Sequence, residues 1–360
     1  MIPQSAYGFQ PPKTQVAHLI VDLHSLVLGI CALICVVVFA ALFFCIVKFR
    51  RSEGRKPGTV TGYKPLELAW TIIPVFILIG IAIPATRAVF AMKDTSDPDI
   101  TVKITGYQWQ WRYDYLNEDI GFYSALSTSR KQIDNLEPKD ENYLLEVDHP
   151  LVVPAGKKIR ILVTANDVIH SWWVPAFGVK QDAIPGFIRD AWFRVDEPGV
   201  YRGQCAELCG KEHGFMPIVV DVIPEQQYVA WLAAQRTAKQ ATHAADASAA
   251  GKTFGLDELK SDGEKVYGRT CVTCHQASGE GLPPAFPALA HGRIAAGPIA
   301  GTIDIVVNGS KKNPAMVAWK GQLSDVDIAS VITYVRNSFG NATDDAVQPK
   351  EIAAARREEN

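Results

Sequence analysis

Several absences bound this sequence before any motif is read. Its 360 residues carry no excess of charge, 36 Lys and Arg against 38 Asp and Glu, which gives no reason to expect a nucleic-acid partner. No internal repeat is found, and methionine is scarce, with four in the whole chain. Charge is missing altogether from residues 25–47 and 68–86. Apolar runs of that length, near 20 residues, cross a bilayer as helices. Two buried core helices, or a retained signal sequence for the first run, would meet the same count, but the flanking residues fit spans better.

Between the runs, Lys48, Arg50, Arg51, Arg55, Lys56 and Lys64 stand against one acid, Glu53, which makes that connection cytoplasmic. Two spans return the chain to its starting side. Everything from about Met92 onward is therefore expected outside the cytoplasm, in an oxidising compartment. Of seven cysteines, Cys31, Cys35 and Cys45 lie in the first run and read as small apolar packing residues. The other four form two pairs.

Beyond the spans the texture changes to short alternating segments. Ile100, Val102 and Ile104 share one face of a strand, as do Ile159, Ile161 and Val163. "RVDEPGVYRGQC" and "MPIVVDVIP" read likewise, with Pro and Gly at the turns, so residues of about 95 to 224 suggest a β-sandwich or barrel. From Glu225 the pattern loses strand character, and its Ala-rich second half reads as a linker. From Leu256 it becomes helical: Ser324 is a plausible N-cap with Asp327 three residues on, and Val326, Ile328, Val331, Ile332 and Val335 form an apolar stripe. The acid-rich stretch 134–148 reads as a solvated face, with a docking patch for a basic partner as its alternative.

"CVTCH", residues 271 to 275, has the spacing of covalent haem attachment. Cys271 and Cys274 fall on one side of a helical turn, where each thiol can add to one vinyl group, and His275 is carried under the iron. A disulfide between the two, or half of a zinc site, competes, but no second cysteine pair follows at zinc-finger distance. Only one methionine, Met316, lies in the helical region, which makes it the candidate sixth ligand, with His291 as its rival. Met/His ligation fills both axial positions and so suits electron transfer.

"CAELCGKEHGFM", residues 205 to 216, places Cys205, Cys209, His213 and Met216 on one loop, and His170 ends an earlier strand. Thiolate, thioether and imidazole together suit copper, yet a mononuclear blue-copper site needs only one cysteine. Two thiolates can instead bridge two copper ions, each completed by a histidine and a weak ligand. A Cys205–Cys209 disulfide and a zinc site of two Cys and two His remain open as alternatives.

With "HSWWVPAFGVKQDAIPG" preceding that loop, "ELAWTIIP" at residues 67 to 74 and "GYQWQWRYDY" at 106 to 115, the chain resembles subunit II of the haem-copper cytochrome c oxidases, with their binuclear CuA centre. "CVTCH" and "PAMVAWKGQLSDVDIASVITYVRNSFGN" resemble the cytochrome c domain fused to this subunit in some bacterial oxidases. The resemblance implies a transmembrane α-helical hairpin (1–92), a cupredoxin-like antiparallel β-sandwich carrying CuA (93–224) and an all-α cytochrome c domain (256–345); the composition between and after them reads as a helix and Ala-rich linker (225–255) and a C-terminal tail (346–360).

It further implies that Cys205 and Cys209 bridge both coppers, with His170 and Met216 on one and His213 and the Glu207 carbonyl on the other. The Glu207 side chain would reach a Mg2+ shared with subunit I, Trp109 would pass electrons into CuA, and Glu67 would stand near a proton-uptake route. Where family members often have an aromatic residue after that tryptophan, Gln110 stands here. The implied partners are subunits I and III, the membrane, and cytochrome c or a quinol–cytochrome c reductase as donor; the setting is the bacterial inner membrane, with both redox domains on its periplasmic side. Electrons would run from haem c to CuA and on to haem in subunit I, where oxygen is reduced and protons are pumped. A linker would keep the haem within reach of CuA by raising its effective concentration. Alternatives are the CuA subunit of another reductase, such as one acting on nitric oxide, a copper-delivery protein, or an assembly subunit with disulfides.

Overall fold

The computed structural model describes residues 8–50, 54, 58, 62–249, 251–281, 286–313 and 316–357. Arg51, Glu53, Arg55 and Lys56 of the basic connection lie outside the described residues. Two long helices come first, α1 (Gln15–Lys48) and α2 (Lys64–Lys93), flanked by exposed Leu, Ile and Phe side chains along their length. The 30 residues of α2 at 1.5 Å each extend about 45 Å, more than the roughly 30 Å hydrocarbon core of a bilayer. Both outer ends are tied to the next domain. Thr14 caps α1 by accepting from the Ala17 amide at 3.0 Å while its hydroxyl donates to the Phe177 carbonyl at 2.7 Å. At the far end of α2, the Trp192 indole donates to the Ala91 carbonyl at 2.9 Å.

Ten strands then form two five-stranded sheets. The first three are β1 (Ile100–Tyr107), β2 (Gln110–Tyr115) and β3 (Ile120–Ser124), after which the short α3 (Arg130–Ile133) leads into the acid-rich stretch. Next come β4 (Leu151–Pro154), β5 (Lys158–Ala165), β6 (His170–Val174), β7 (Val179–Ala183), β8 (Arg189–Arg194), β9 (Gly199–Cys205) and β10 (Pro217–Ile223). One sheet runs β3-β2-β1-β5-β8 and the other β4-β10-β9-β6-β7. The expected alternation holds: Val102, Ile104, Ile159, Ile161 and Val163 are fully or almost fully buried. The expected cupredoxin-like sandwich is present and most of its pairings are antiparallel, but its sheets are mixed, because β1 pairs with β5, and β4 with β10, in parallel. Parallel neighbours need long crossover connections. The chain supplies them: β2, β3 and β4 separate β1 from β5, and five strands separate β4 from β10.

Past the sandwich the Ala-rich segment departs from expectation. A continuous helix, α4 (Glu225–Ala249), runs through the half that reads as linker, consistent with alanine being the best helix former. Tyr228 and Trp231 of α4 stack on each other, and Trp231 meets Tyr115 of the sandwich at 5.4 Å between ring centroids. Arg236 and Lys239 form ion pairs with Glu118 and Asp119 in the β2–β3 turn.

The helical domain comprises α5 (Leu256–Thr270), α6 (Val272–His275), α7 (Ile299–Asn308), α8 (Asp325–Arg336) and α9 (Pro349–Arg357). Ser324 and Asp327 make a reciprocal capping box at the start of α8. α5 crosses α8 so closely that a Cβ on Gly263 would meet the Ser330 carbonyl oxygen at 2.0 Å. In the expected tail, residues 346–357 bury Val347 and, on α9, Ile352; Arg356 of α9 donates to Asp325 at 2.5 Å and to the Leu323 carbonyl at 2.8 Å.

Arg336 is buried, and its guanidinium donates to Asp345 and to the carbonyls of Ala295 and Gly297. The hydrogen bond from Arg336 holds the Asp345 carboxyl below its ordinary value of 3.8. A carboxylate depressed in the folded state stabilises fully above its unfolded pKa and loses that contribution as pH falls through the folded value. Unfolding temperature measured against pH should therefore fall more steeply below about pH 4 in the unaltered chain than in Asp345→Asn, which begins less stable.

Candidate metal centres

The first centre is assembled where three strands end together. β6 begins at His170, β9 ends at Cys205, and β10 begins directly after Met216. The loop between β9 and β10 is closed at its base by the Cys205 amide donating to the Met216 carbonyl at 3.2 Å. On the neighbouring sheet β1 supplies Gly106, where a Cβ would come within 2.8 Å of the His170 ring. Any larger residue there would push the imidazole out of place.

Within this frame the Cys205 and Cys209 sulfurs lie 3.8 Å apart, unbonded and buried. The remaining ligand-type atoms surround that pair. His170 Nδ1 is 3.9 Å from Cys205 Sγ, His213 Nδ1 is 3.3 Å from Cys209 Sγ, and Met216 Sδ is 3.5 Å from Cys209 Sγ. The Glu207 carbonyl oxygen lies 3.4 Å from Cys205 Sγ, and the Glu207 side chain is exposed. His170, Cys205 and Cys209 alone place a ligand atom each within 4.8 Å of one another. The disulfide alternative is not what the chain forms, and a tetrahedral zinc site leaves buried Met216 without a role.

Asp167 is a residue that motif reading missed, although it stands only three positions before His170. Its Oδ1 lies 2.9 Å from His170 Nε2, in a buried pair. A carboxylate can only accept, so Nε2 carries the proton and Nδ1 is left with its lone pair toward the sulfurs. Asp167 also accepts from the Gln108 amide at 2.7 Å and so fixes the segment leading to Trp109. Burial opposes charge on His170, but the hydrogen bonds to Asp167 and Cys205 outweigh it and raise its pKa. In the thiol pair, the hydrogen bond from Cys209, then that with His170, lowers Cys205 to about 4, while the proton they share is held on Cys209, whose pKa is raised.

The second centre is a cavity of about 390 Å3, within the range of small-molecule and cofactor sites. Cys271, Cys274, His275 and Met316 all line it. His275 Nδ1 is 3.1 Å from the Pro287 carbonyl, which can only accept, so Nε2 keeps the lone pair a metal requires. Burial lowers the His275 pKa and so favours the neutral ring. The same burial pushes the Cys271 and Cys274 thiols up to about 11 and about 12. His291, the rival to Met316, packs against Gly340 instead. Buried thiols, a neutral imidazole and a thioether around an apolar chamber fit a covalently held haem.

The two centres meet. Trp109, Gln110 and Ala125 of the sandwich form part of the cavity wall, and the Trp109 indole donates to the Cys209 carbonyl at 3.1 Å. Glu67 is not brought to either: it sits in the first turn of α2, paired with Lys64 at 2.8 Å, at the end of that helix away from the sandwich.

Comparison with known proteins agrees with this division. Residues 3–87 match the family described as cytochrome c oxidase subunit II, transmembrane domain, and residues 100–223 its periplasmic domain. Residues 258–335 match the family described as cytochrome c oxidase, cbb3-type, subunit III. Cytochrome c oxidase subunit 2 of Cereibacter sphaeroides is 40% identical over 238 residues, 62% of this chain and 78% of that protein. A probable cytochrome c oxidase subunit 2 of Rickettsia bellii is 39% identical over 229 residues, 63% of this chain and 83% of that one. The crystal structure of the periplasmic domain of subunit II of cytochrome oxidase from Bradyrhizobium japonicum is 41% identical, covers 39% of this chain and 96% of its own, and superposes with a TM-score of 0.35.

Because Asp167 fixes the His170 tautomer, Asp167→Ala should weaken copper binding by about 10- to 100-fold, measured by chelator competition, while leaving the haem region's absorption unchanged.

Proposed function

The chain belongs to the cytochrome c oxidase subunit II family, and on that premise we propose a residue-level route by which it collects single electrons and delivers them toward subunit I. It is a two-pass membrane subunit with a periplasmic CuA domain and a fused haem-binding domain, acting in electron transfer within a haem-copper oxidase. Oxygen chemistry belongs to subunit I.

In our reading Cys205, Cys209, His170, His213, Met216 and the Glu207 carbonyl would together hold the two copper ions of CuA. The observation that carries this is the unbonded buried sulfur pair with a nitrogen or thioether on each side. Cys271, Cys274, His275 and Met316 would hold the haem. When bound, these groups take up and release single electrons. The protein's part is to keep the ligands in place whether an electron is present or not.

Trp109 is the contact through which electrons reach the copper site, supported by its indole hydrogen bond to Cys209. The exposed Glu207 side chain is free to reach a Mg2+ at the boundary with subunit I, and Glu67 stands at the cytoplasmic mouth of α2, where a proton-uptake route would open. Subunits I and III are the membrane partners. The external donor is cytochrome c or a quinol–cytochrome c reductase feeding the haem domain.

Metal analysis with electron paramagnetic resonance on the full-length chain tests the reading. The expected result is one covalent haem and an unpaired electron shared over two coppers, with the shared signal abolished in Cys209→Ser and the haem retained. A single localised copper, or zinc in the same ligands, would overturn it.

A further inference from the structure

We propose that Phe286 is the aromatic bridge carrying electrons from the haem cavity to Trp109, and that the same contact closes Trp109 to any donor outside the chain. The proposal rests on the reading of Trp109 as the input to the copper site.

The geometry is a continuous series of contacts from a ligand of one centre to a ligand of the other. His275 bonds through Nδ1 to the Pro287 carbonyl at 3.1 Å. Phe286, the preceding residue, presents its ring edge-on to Trp109, with centroids 5.2 Å apart and planes at 83°. Trp109 then donates to the Cys209 carbonyl at 3.1 Å. No step crosses open solvent. Electron transfer slows steeply across unfilled gaps, so a packed ring between two pockets sets the coupling between them. One electron leaves the ferrous haem iron, which becomes ferric, and reduces the copper pair by one; no bond forms or breaks.

Occlusion follows from the same packing. Trp109 is 8% exposed and Phe286 4%, and both belong to the hydrophobic core that the sandwich shares with the haem domain. An external protein has no ring face of Trp109 to dock against, so its electrons must be given to the haem domain first. Gln110, standing where an outward aromatic is common in the resembling family, lines the haem cavity instead.

A second ring contact crosses between the domains, Trp319 to Tyr123 at 5.9 Å. It leads less directly to copper. Tyr123 meets Tyr107 and Arg112 rather than any group bonded to a ligand of the sulfur pair.

The test uses the full chain in its assembled oxidase, loaded with haem and copper. A ruthenium photoreductant reduces the haem in a flash, and copper reduction is followed optically. Phe286→Leu, which keeps apolar bulk but removes the ring, should slow haem-to-copper transfer several-fold. Both reduction potentials should stay unchanged, and Phe286→Trp should restore the rate. Hydroxyl-radical footprinting read by mass spectrometry gives an independent readout: Trp109 should be protected in the unaltered chain and labelled several-fold more in Phe286→Ala. An unchanged rate in Phe286→Leu beside a slowed Trp109→Leu overturns the bridge and leaves Trp109 in place. Unchanged rates in both overturn both readings. A shifted potential that accounts for the slowing, or a loss of rate in Trp319→Leu but not Phe286→Leu, also overturns the proposal.

Discussion

Everything in this molecule turns on keeping two thiols 3.8 Å apart without letting them join. In an oxidising compartment a free pair at that separation is close to a disulfide, whose S–S distance is about 2.05 Å. Strand ends oppose the approach. Cys205 closes β9 and is in register with Trp172 of β6, while Met216 is clamped to Cys205 at the base of the loop. Cys209 is held from outside by two donors to its carbonyl, Gln108 at 2.7 Å and Trp109 at 3.1 Å. The backbone at both cysteines is thus fixed from β6, from the residue that precedes β10 and from the β1–β2 turn. Shortening the gap would require breaking those bonds in the interior, where each costs on the order of 1 kcal/mol or more.

The second sheet and the helical domain extend this rigidity rather than merely attaching to it. A flexible tether gives a donor high local concentration but no fixed orientation. Here α4 acts as a strut. Its first turns pack Trp231 against Tyr115 and Phe122 of the sandwich, its middle pairs with the β2–β3 turn, and near its end Asp246 accepts from the Asp325 amide at the start of α8 at 2.7 Å. A carboxylate at a helix N-terminus is favourable on both hydrogen-bond and dipole grounds. The haem cavity is consequently walled by both domains, and the distance between the two centres is a property of the fold.

Local patterns in the sequence carried much of this. The two apolar runs, the period-2 strands, the Ser324 cap and both cysteine constellations depend on residues near one another in the chain, and each appears where its spacing places it. What was not legible depends on partners far away. The parallel pairing of β1 with β5 is decided by crossovers, which a strand's own residues do not encode. The Ala-rich half of α4 has low-complexity composition whether it is linker or helix, and only the ion pairs to Glu118 and Asp119 and the contact with α8 decide between them. Residues 346–360 look like a polar tail until Ile352 is seen to fill the domain core. Asp167 was within reach of local reading, three residues before His170; Phe286 was not, since nothing in its neighbourhood of the sequence points to Trp109.

The two cysteine pairs also show how one chain prepares thiols for different chemistry. Around Cys205, a neighbouring thiol and an imidazole stabilise negative charge, so a proton is lost readily, down to about 4, as a metal-binding thiolate requires. Around Cys271 and Cys274 burial dominates and keeps both protonated, up to about 11 and about 12. A thioether forms when S–H adds across a vinyl double bond, hydrogen going to one carbon and sulfur to the other, with no oxidant consumed. The apolar cavity that would hold the tetrapyrrole also suppresses thiolate at those sulfurs, and thiolate is the form that forms disulfides. Separation of copper from haem chemistry therefore does not need two kinds of residue. It needs the same residue in two environments, one lined by hydrogen-bond partners and the other by hydrocarbon.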